Sequence, residues 1–122
     1  MPPKTGLIRN WVSASVQIAN ACAVSGSLIH AGRPVIGIMM PEAWTGSTLG
    51  FQVNACPGGT FRELYSDNNQ EVLATVGASR AVAASAAIDK LAPWYAMKVV
   101  SGCKGSQENQ GAARTLVIFY EG

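Results

Sequence analysis

The sequence predicts an all-β domain, a sandwich or barrel of about eight or nine short antiparallel strands. Three observations indicate this. Turn residues recur about every 8–12 positions, the stretches between them are alternating or continuously apolar, and only one short segment favours a helix. The chain has 122 residues, close to the commonest size of a single domain, and neither a repeat nor a linker divides it.

The N-terminal part contains clear strand patterns. Residues 15–22 alternate polar and apolar side chains and place Val16 and Ile18 on one face. A short strand is expected at 27–30, between two glycines. The apolar run 34–40 ends at a proline and predicts a strand buried on both faces.

The segment 48–54 alternates cleanly. Its odd-numbered residues, Leu49, Phe51 and Val53, are expected to face the core, and its even-numbered residues to face solvent. A Pro-Gly-Gly turn then predicts a hairpin. The remaining predicted strands are 60–65, 71–76, 80–84, 94–100 and 114–120, with a single helical turn at 85–93. In the last strand, Leu116 and Ile118 are expected to face the core.

The chain carries few charges. Lys and Arg number 9 and Asp and Glu 7, a net charge of +2, and charged residues make up 13%, against about 25% in typical proteins. Hydrophobic residues make up 48%, which excludes a disordered chain. We expect no nucleic-acid partner, since a basic stripe is missing, and no membrane, since no apolar run reaches roughly 20 residues. A surface so poor in charge favours association, so a homo-oligomer is expected.

Residues that commonly carry catalysis are sparse. His30 is the single histidine, and we expect it in a turn or at a strand end rather than in a catalytic or metal site. The segment 67–71 is typical of a turn rather than a calcium loop. Cys22, Cys56 and Cys103 lack the spacing of a disulfide or metal motif and are expected to be buried and reduced. The sequence therefore predicts no enzyme and no cofactor, and folding in a reducing compartment.

Candidate interface residues lie at the N-terminus and in two loops. Residues 1–13 are predicted to form an extended arm, because two prolines and a glycine oppose a helix, and residues 14–122 to form the sandwich. Trp44, in a turn, is an interface anchor, a sugar-stacking platform or a lid on the core. The candidate interface residues are Pro2, Pro3, Lys4, Trp11, Trp44, Asn109 and Gln110.

Four stretches together resemble small virion structural proteins of tailed bacteriophages. In order they are 40–46 (MPEAWTG), 59–67 (GTFRELYSD), 95–102 (YAMKVVSG) and 110–116 (QGAARTL). The likeness extends over roughly residues 34–118. The hairpin pattern FQV followed by TFRELY also looks like the jelly roll of galactose-binding-type and discoidin-type domains. The resemblance therefore implies a jelly-roll-like β-sandwich.

The same resemblance implies a capsid cement or decoration protein, folded in the host cytoplasm and located on the capsid surface of the virion. Such a protein binds the major capsid protein and stabilises the assembled shell, and a trimer at a local three-fold axis is one arrangement of it. Two alternatives stay open. One is a carbohydrate-binding module of a head or tail fibre that uses Trp11, Trp44, Asn109 and Gln110, and the other is a tail or head–tail connector component.

Overall fold

A computed structural model describes residues 11–83, 88, 90–103 and 106–121. These residues form two antiparallel sheets, which confirms the predicted all-β sandwich. Within the same residues, no helix has the length and hydropathy needed to cross a membrane. The described strands are β1 (Trp11–Ile18), β2 (Leu28–Ile29), β3 (Val35–Met39), β4 (Thr48–Asn54), β5 (Arg62–Glu63), β6 (Leu73–Thr75), β7 (Ala81–Ala83), β8 (Ala96–Cys103), β9 (Ser106–Gln107) and β10 (Arg114–Glu121).

The first sheet has four strands in the order β1-β10-β3-β7. β1 and β10 pair without a register shift, from Trp11 opposite Glu121 to Ile18 opposite Arg114. β10 also pairs with β3, with an irregularity after Phe119, and β3 pairs with β7. β1 and β7 are therefore the two edges of this sheet.

The second sheet has six strands, with the order β2-β8-β4-β5 and with β6 on β4 and β9 on β8. β5 pairs with residues 52–53 of β4 and β6 pairs with residues 48–50. β5 and β6 thus occupy one strand position that a turn interrupts. The chain crosses between the sheets after β1, β2, β3, β6, β7 and β9.

The core lies between the two sheets and is built from alternate residues of the long strands. Phe51, Met97 and Val99 project into it from the second sheet, and Leu116 and Ile118 from the first; all five side chains are fully buried. Burial of apolar side chains, of which these five are part, is the dominant favourable term in folding. The inward-facing residues predicted for β4 and β10 are confirmed.

The predicted boundaries at the N-terminus need correction. β1 begins at Trp11 and ends at Ile18, four residues earlier at each end than the strand predicted at 15–22. Residues 11–13 of the predicted arm belong to the four-stranded sheet, because they pair with β10. The rest of that arm, and residues 85–87 and 89 of the helical turn predicted at 85–93, lie outside the described residues.

Several predictions of burial were also wrong. Cys22 and Cys56 are exposed and Cys103 is half-buried, although all three are free thiols as expected. Asn54, predicted to face solvent, is buried. Its Nδ2 donates to the Gly59 carbonyl oxygen at 3.2 Å, so the polar side chain closes the turn after β4 instead of meeting water.

Candidate interaction surface

Gln110 lies inside the protein. The residue is 1% exposed, and its side-chain amide holds the turn that contains Thr45. Nε2 donates to the Thr45 carbonyl oxygen at 3.0 Å and to Ser101 Oγ at 2.7 Å. Oε1 accepts from the Thr45 N–H at 3.0 Å and from Arg114 Nε at 3.2 Å. Gln110 is therefore not available as the surface contact that the sequence predicted.

Replacing Gln110 with alanine is expected to lower the free energy of unfolding by about 1–3 kcal/mol, because the fully buried Ser101 hydroxyl and the Thr45 backbone groups lose their hydrogen-bond partner. The matched control is Asn109→Ala at the exposed neighbour, expected to change that free energy by less than about 0.5 kcal/mol. Urea denaturation measures both. Equal stabilities of the two variants would contradict the structural role of Gln110.

Of the other predicted interface residues, Trp44 and Asn109 are chain neighbours of the bonded pair Thr45 and Gln110, whereas Trp11 lies opposite Glu121, at the far end of β10 from Arg114. Trp44 is half-buried and packs against the hydrophobic core, which supports its interpretation as a lid. Asn109 is exposed, and Trp11 is the first residue of β1. A sugar site built around Trp44 would have no free amide from Gln110. Outside the described residues lie Pro2, Pro3 and Lys4.

His30 is buried directly after β2, the strand-end position that the sequence predicted. Its Nε2 lies 2.7 Å from the Leu91 carbonyl oxygen, and burial lowers the pKa of the imidazole from its usual value. This side chain links β2 to the turn that precedes β8. In the part of the chain that the structure describes, no group of three His, Cys, Asp or Glu side chains could hold a metal ion.

Two neighbouring rows on the outer face of the four-stranded sheet are uncharged, and the next outward position of β10 is Glu121, opposite Trp11. Because Leu116, Ile118 and their neighbours point into the core, the alternate residues point outward, and the strand register places them in two rows that cross all four strands. The first row is Ser15, Val117, Met39 and Ala81, and the second is Ser13, Phe119, Gly37 and Ala83. We call these eight residues the uncharged face.

The uncharged face contains large apolar side chains at its centre. Met39 is 43% exposed, Val117 lies directly opposite it, and Phe119 lies opposite Gly37, where no side chain competes for space. Outward positions of a sandwich sheet are normally polar. An apolar surface of this kind, bordered by serines, is typical of a site that binds another protein.

The second sheet differs in that charged residues accompany its exposed apolar residues, Ile29 (56% exposed) and Leu73 (40%). On its outward side, Gln52 of β4 lies between Glu63 and Lys98 in the paired strands. Lys98 Nζ lies 4.4 Å from the centroid of the Phe61 ring, a cation–π contact. Glu63 and Lys98 therefore lie on the side of the sandwich opposite the uncharged face.

Comparison with known proteins gives no relative for this chain: no family model, no curated protein and no solved structure matches it. The function has therefore to be argued from the surface and its chemistry.

Proposed function

We propose that this chain is a structural protein of a tailed-bacteriophage virion, a cement or decoration protein that binds the major capsid protein on the outer shell. The observation that carries the proposal is the uncharged face. The cores of permanent protein interfaces are depleted in charge, because a buried charge loses its hydration and needs a partner of good geometry. A partner can cover the uncharged face without that cost.

The strand order also supports the proposal. With β5 and β6 counted as one position, and β9 counted as the end of the β8 hairpin, the domain has eight strand positions in two layers of four. That number and layering are those of a jelly roll, a fold that viral capsid proteins use. Because one fold serves many functions, the strand order adds to the uncharged face and to the sequence resemblance without replacing them.

Stabilisation of the shell would follow from mass action. A protein that binds the assembled shell but not the dissociated subunits lowers the free energy of the assembled state. The effect grows with the ratio of the free concentration of that protein to its Kd for the shell. No catalytic group is needed for this. The proposal therefore fits a chain whose single histidine is buried and hydrogen-bonded.

The test adds the purified protein to undecorated capsids of a phage whose genome encodes it, and measures co-sedimentation and the temperature at which the capsids release DNA. We expect saturable binding and a higher release temperature. Met39→Lys, on the uncharged face, is expected to weaken binding at least tenfold, because a partner would have to bury the ammonium group. Leu73→Lys is the matched control on the other sheet, since Leu73 is 40% exposed and Met39 43%.

Absence of saturable binding, or equal loss of affinity in Met39→Lys and Leu73→Lys, would overturn the proposal. Binding confined to the tail or to the head–tail junction would assign the chain to the connector alternative instead.

A further inference from the structure

β1 is an edge strand without the features that usually protect one. Its sequence, WVSASVQI, contains no charged residue and no proline, and its register with β10 is unbroken, so no bulge turns it away. Natural edge strands are commonly short or carry Lys, Pro or bulges that prevent pairing with another chain. The opposite edge, β7, is protected in this way by its length of 3 residues.

The direction of the backbone groups of β1 follows from one hydrogen bond. In an antiparallel pair, successive residues direct both backbone groups alternately toward and away from the partner strand. The Gln17 carbonyl oxygen accepts from the Gly26 N–H at 3.2 Å, on the side away from β10. Ser13 and Ser15 share the parity of Gln17, so their N–H and C=O groups also point to the open side.

The neighbouring strand confirms this parity independently. The Glu121 N–H donates to the Pro34 carbonyl oxygen at 3.0 Å, so odd-numbered residues of β10 turn their backbone groups toward β3. The even-numbered residues of β10 must then bond to β1, which leaves the odd-numbered residues of β1 free to bond outward. Among the described strands, only β10 pairs with β1.

We propose that β1 pairs with β1 of a second copy of this chain, antiparallel, about a two-fold axis at Ala14. Ser13 of one copy then lies opposite Ser15 of the other, and the two Ser13–Ser15 pairs exchange four backbone hydrogen bonds. Because β1 carries no charge, no like charges meet. This inference does not depend on the virion function proposed above.

The exposed side chains of β1 select this register. Val12 shares the parity of the buried Val16, yet it is 38% exposed. With the axis at Ala14, Val12 lies opposite Val16 of the second copy. This apolar cross-strand contact covers the exposed Val12 side chain. On the outer face, the serines lie opposite serines, where their hydroxyl groups can hydrogen-bond.

The pairing has a consequence for the uncharged face. Two four-stranded sheets become one continuous eight-stranded sheet, so two uncharged faces adjoin on one side of the dimer. The assembly has two-fold symmetry, unlike the trimer at a three-fold axis that the sequence resemblance implies. The outer surface of such a dimer would present twice the area to a partner.

The first test uses charge at the two serines. Ser13→Lys/Ser15→Lys places lysines opposite lysines in the proposed pair, and we expect at least a tenfold weaker dimer in sedimentation equilibrium at low salt. Ser13→Lys/Ser15→Glu changes the same two exposed positions but places lysine opposite glutamate. Its dimer dissociation constant is therefore expected to lie within about threefold of that of the unchanged chain. Thermal unfolding verifies that both variants fold.

The second test uses a disulfide to locate the axis. In a chain with Cys22→Ser, Cys56→Ser and Cys103→Ser, Ala14→Cys would place two thiols at a non-hydrogen-bonded pair with Cα atoms about 4.5 Å apart, within the range for a disulfide. We expect a cross-linked dimer from Ala14→Cys and none from Ser13→Cys. A monomeric or trimeric unchanged chain, equal behaviour of the two charge variants, or cross-linking through Ser13→Cys would overturn the proposal.

Discussion

Replacing Gly102 with alanine is expected to lower the free energy of unfolding by about 3 kcal/mol or more. Gly102 has a φ of +90°, a conformation that costs residues with a Cβ about 1–2 kcal/mol. A Cβ at this position would also lie 2.5 Å from the Ser106 carbonyl oxygen and 3.1 Å from the Gln107 Cα. Both are backbone atoms of β9, so the contact can be relieved only by disturbing the pairing of β8 and β9.

Gly58 offers a matched control for this prediction. Its φ is also positive, +74°, but no atom lies within 4 Å of where its Cβ would be. Gly58→Ala therefore carries the conformational cost alone, about 1 kcal/mol. Urea denaturation of both variants isolates the cost of the contact at Gly102, and equal losses would contradict it.

The effect of Gly102→Ala is expected to extend beyond the hairpin. The Glu108 N–H, directly after β9, donates to the Ser101 carbonyl oxygen at 2.9 Å. Ser101 Oγ in turn accepts from Gln110. A displaced β9 would therefore also loosen the amide that holds the turn at Thr45.

The inward faces of β4 and β10 were predicted best, although no residue of β4 is exposed on its other face. β4 matches its predicted limits, and in both β4 and β10 the inward residues, such as Phe51 and Ile118, are buried as expected. Alternation determines which face is buried, but it does not determine where a strand ends. The limits of β1 were therefore missed although Val16 and Ile18 were assigned to the correct face.

Burial of loop side chains could not be predicted because it depends on distant partners. Gln110 bonds to Thr45, which lies 65 positions away in the sequence, and nothing local distinguishes it from the exposed Asn109. The cysteines show the reverse case. An apolar residue type predicts burial on average, yet Cys22 and Cys56 lie in exposed turns.

The uncharged face was visible in the sequence only in part. The run 35–39 is apolar, and a strand buried on both faces was predicted there. The run 116–119 is also apolar, but only Leu116 and Ile118 were expected to face the core. The strand order shows that these two runs are neighbours in one sheet of a two-layer sandwich, so one side of each meets no second layer. A surface that combines four strands cannot be recognised before their order is known.

Phe51 and Phe119 separate the requirements of folding from those of binding. Phe51 is 0% exposed at the centre of the core, so Phe51→Ala is expected to lower the free energy of unfolding by about 3–5 kcal/mol through lost burial and the remaining cavity. Phe119 projects from the opposite side of its sheet and is half-buried among the uncharged face. Phe119→Ala is therefore expected to cost about 1 kcal/mol. Urea denaturation compares the two variants.

Binding should rank these two variants in the opposite order. At a temperature where both variants are folded, the Kd of Phe51→Ala for capsids is expected to lie within about threefold of that of the unchanged chain, because the uncharged face is intact. Phe119→Ala removes a large apolar side chain from the centre of that face, where aromatic residues commonly dominate binding energy, and a loss of about 2 kcal/mol would weaken binding roughly thirtyfold. Undiminished binding by Phe119→Ala would show that the partner contacts another surface. Core residues and residues of the uncharged face would then not differ in their effects on stability and on affinity.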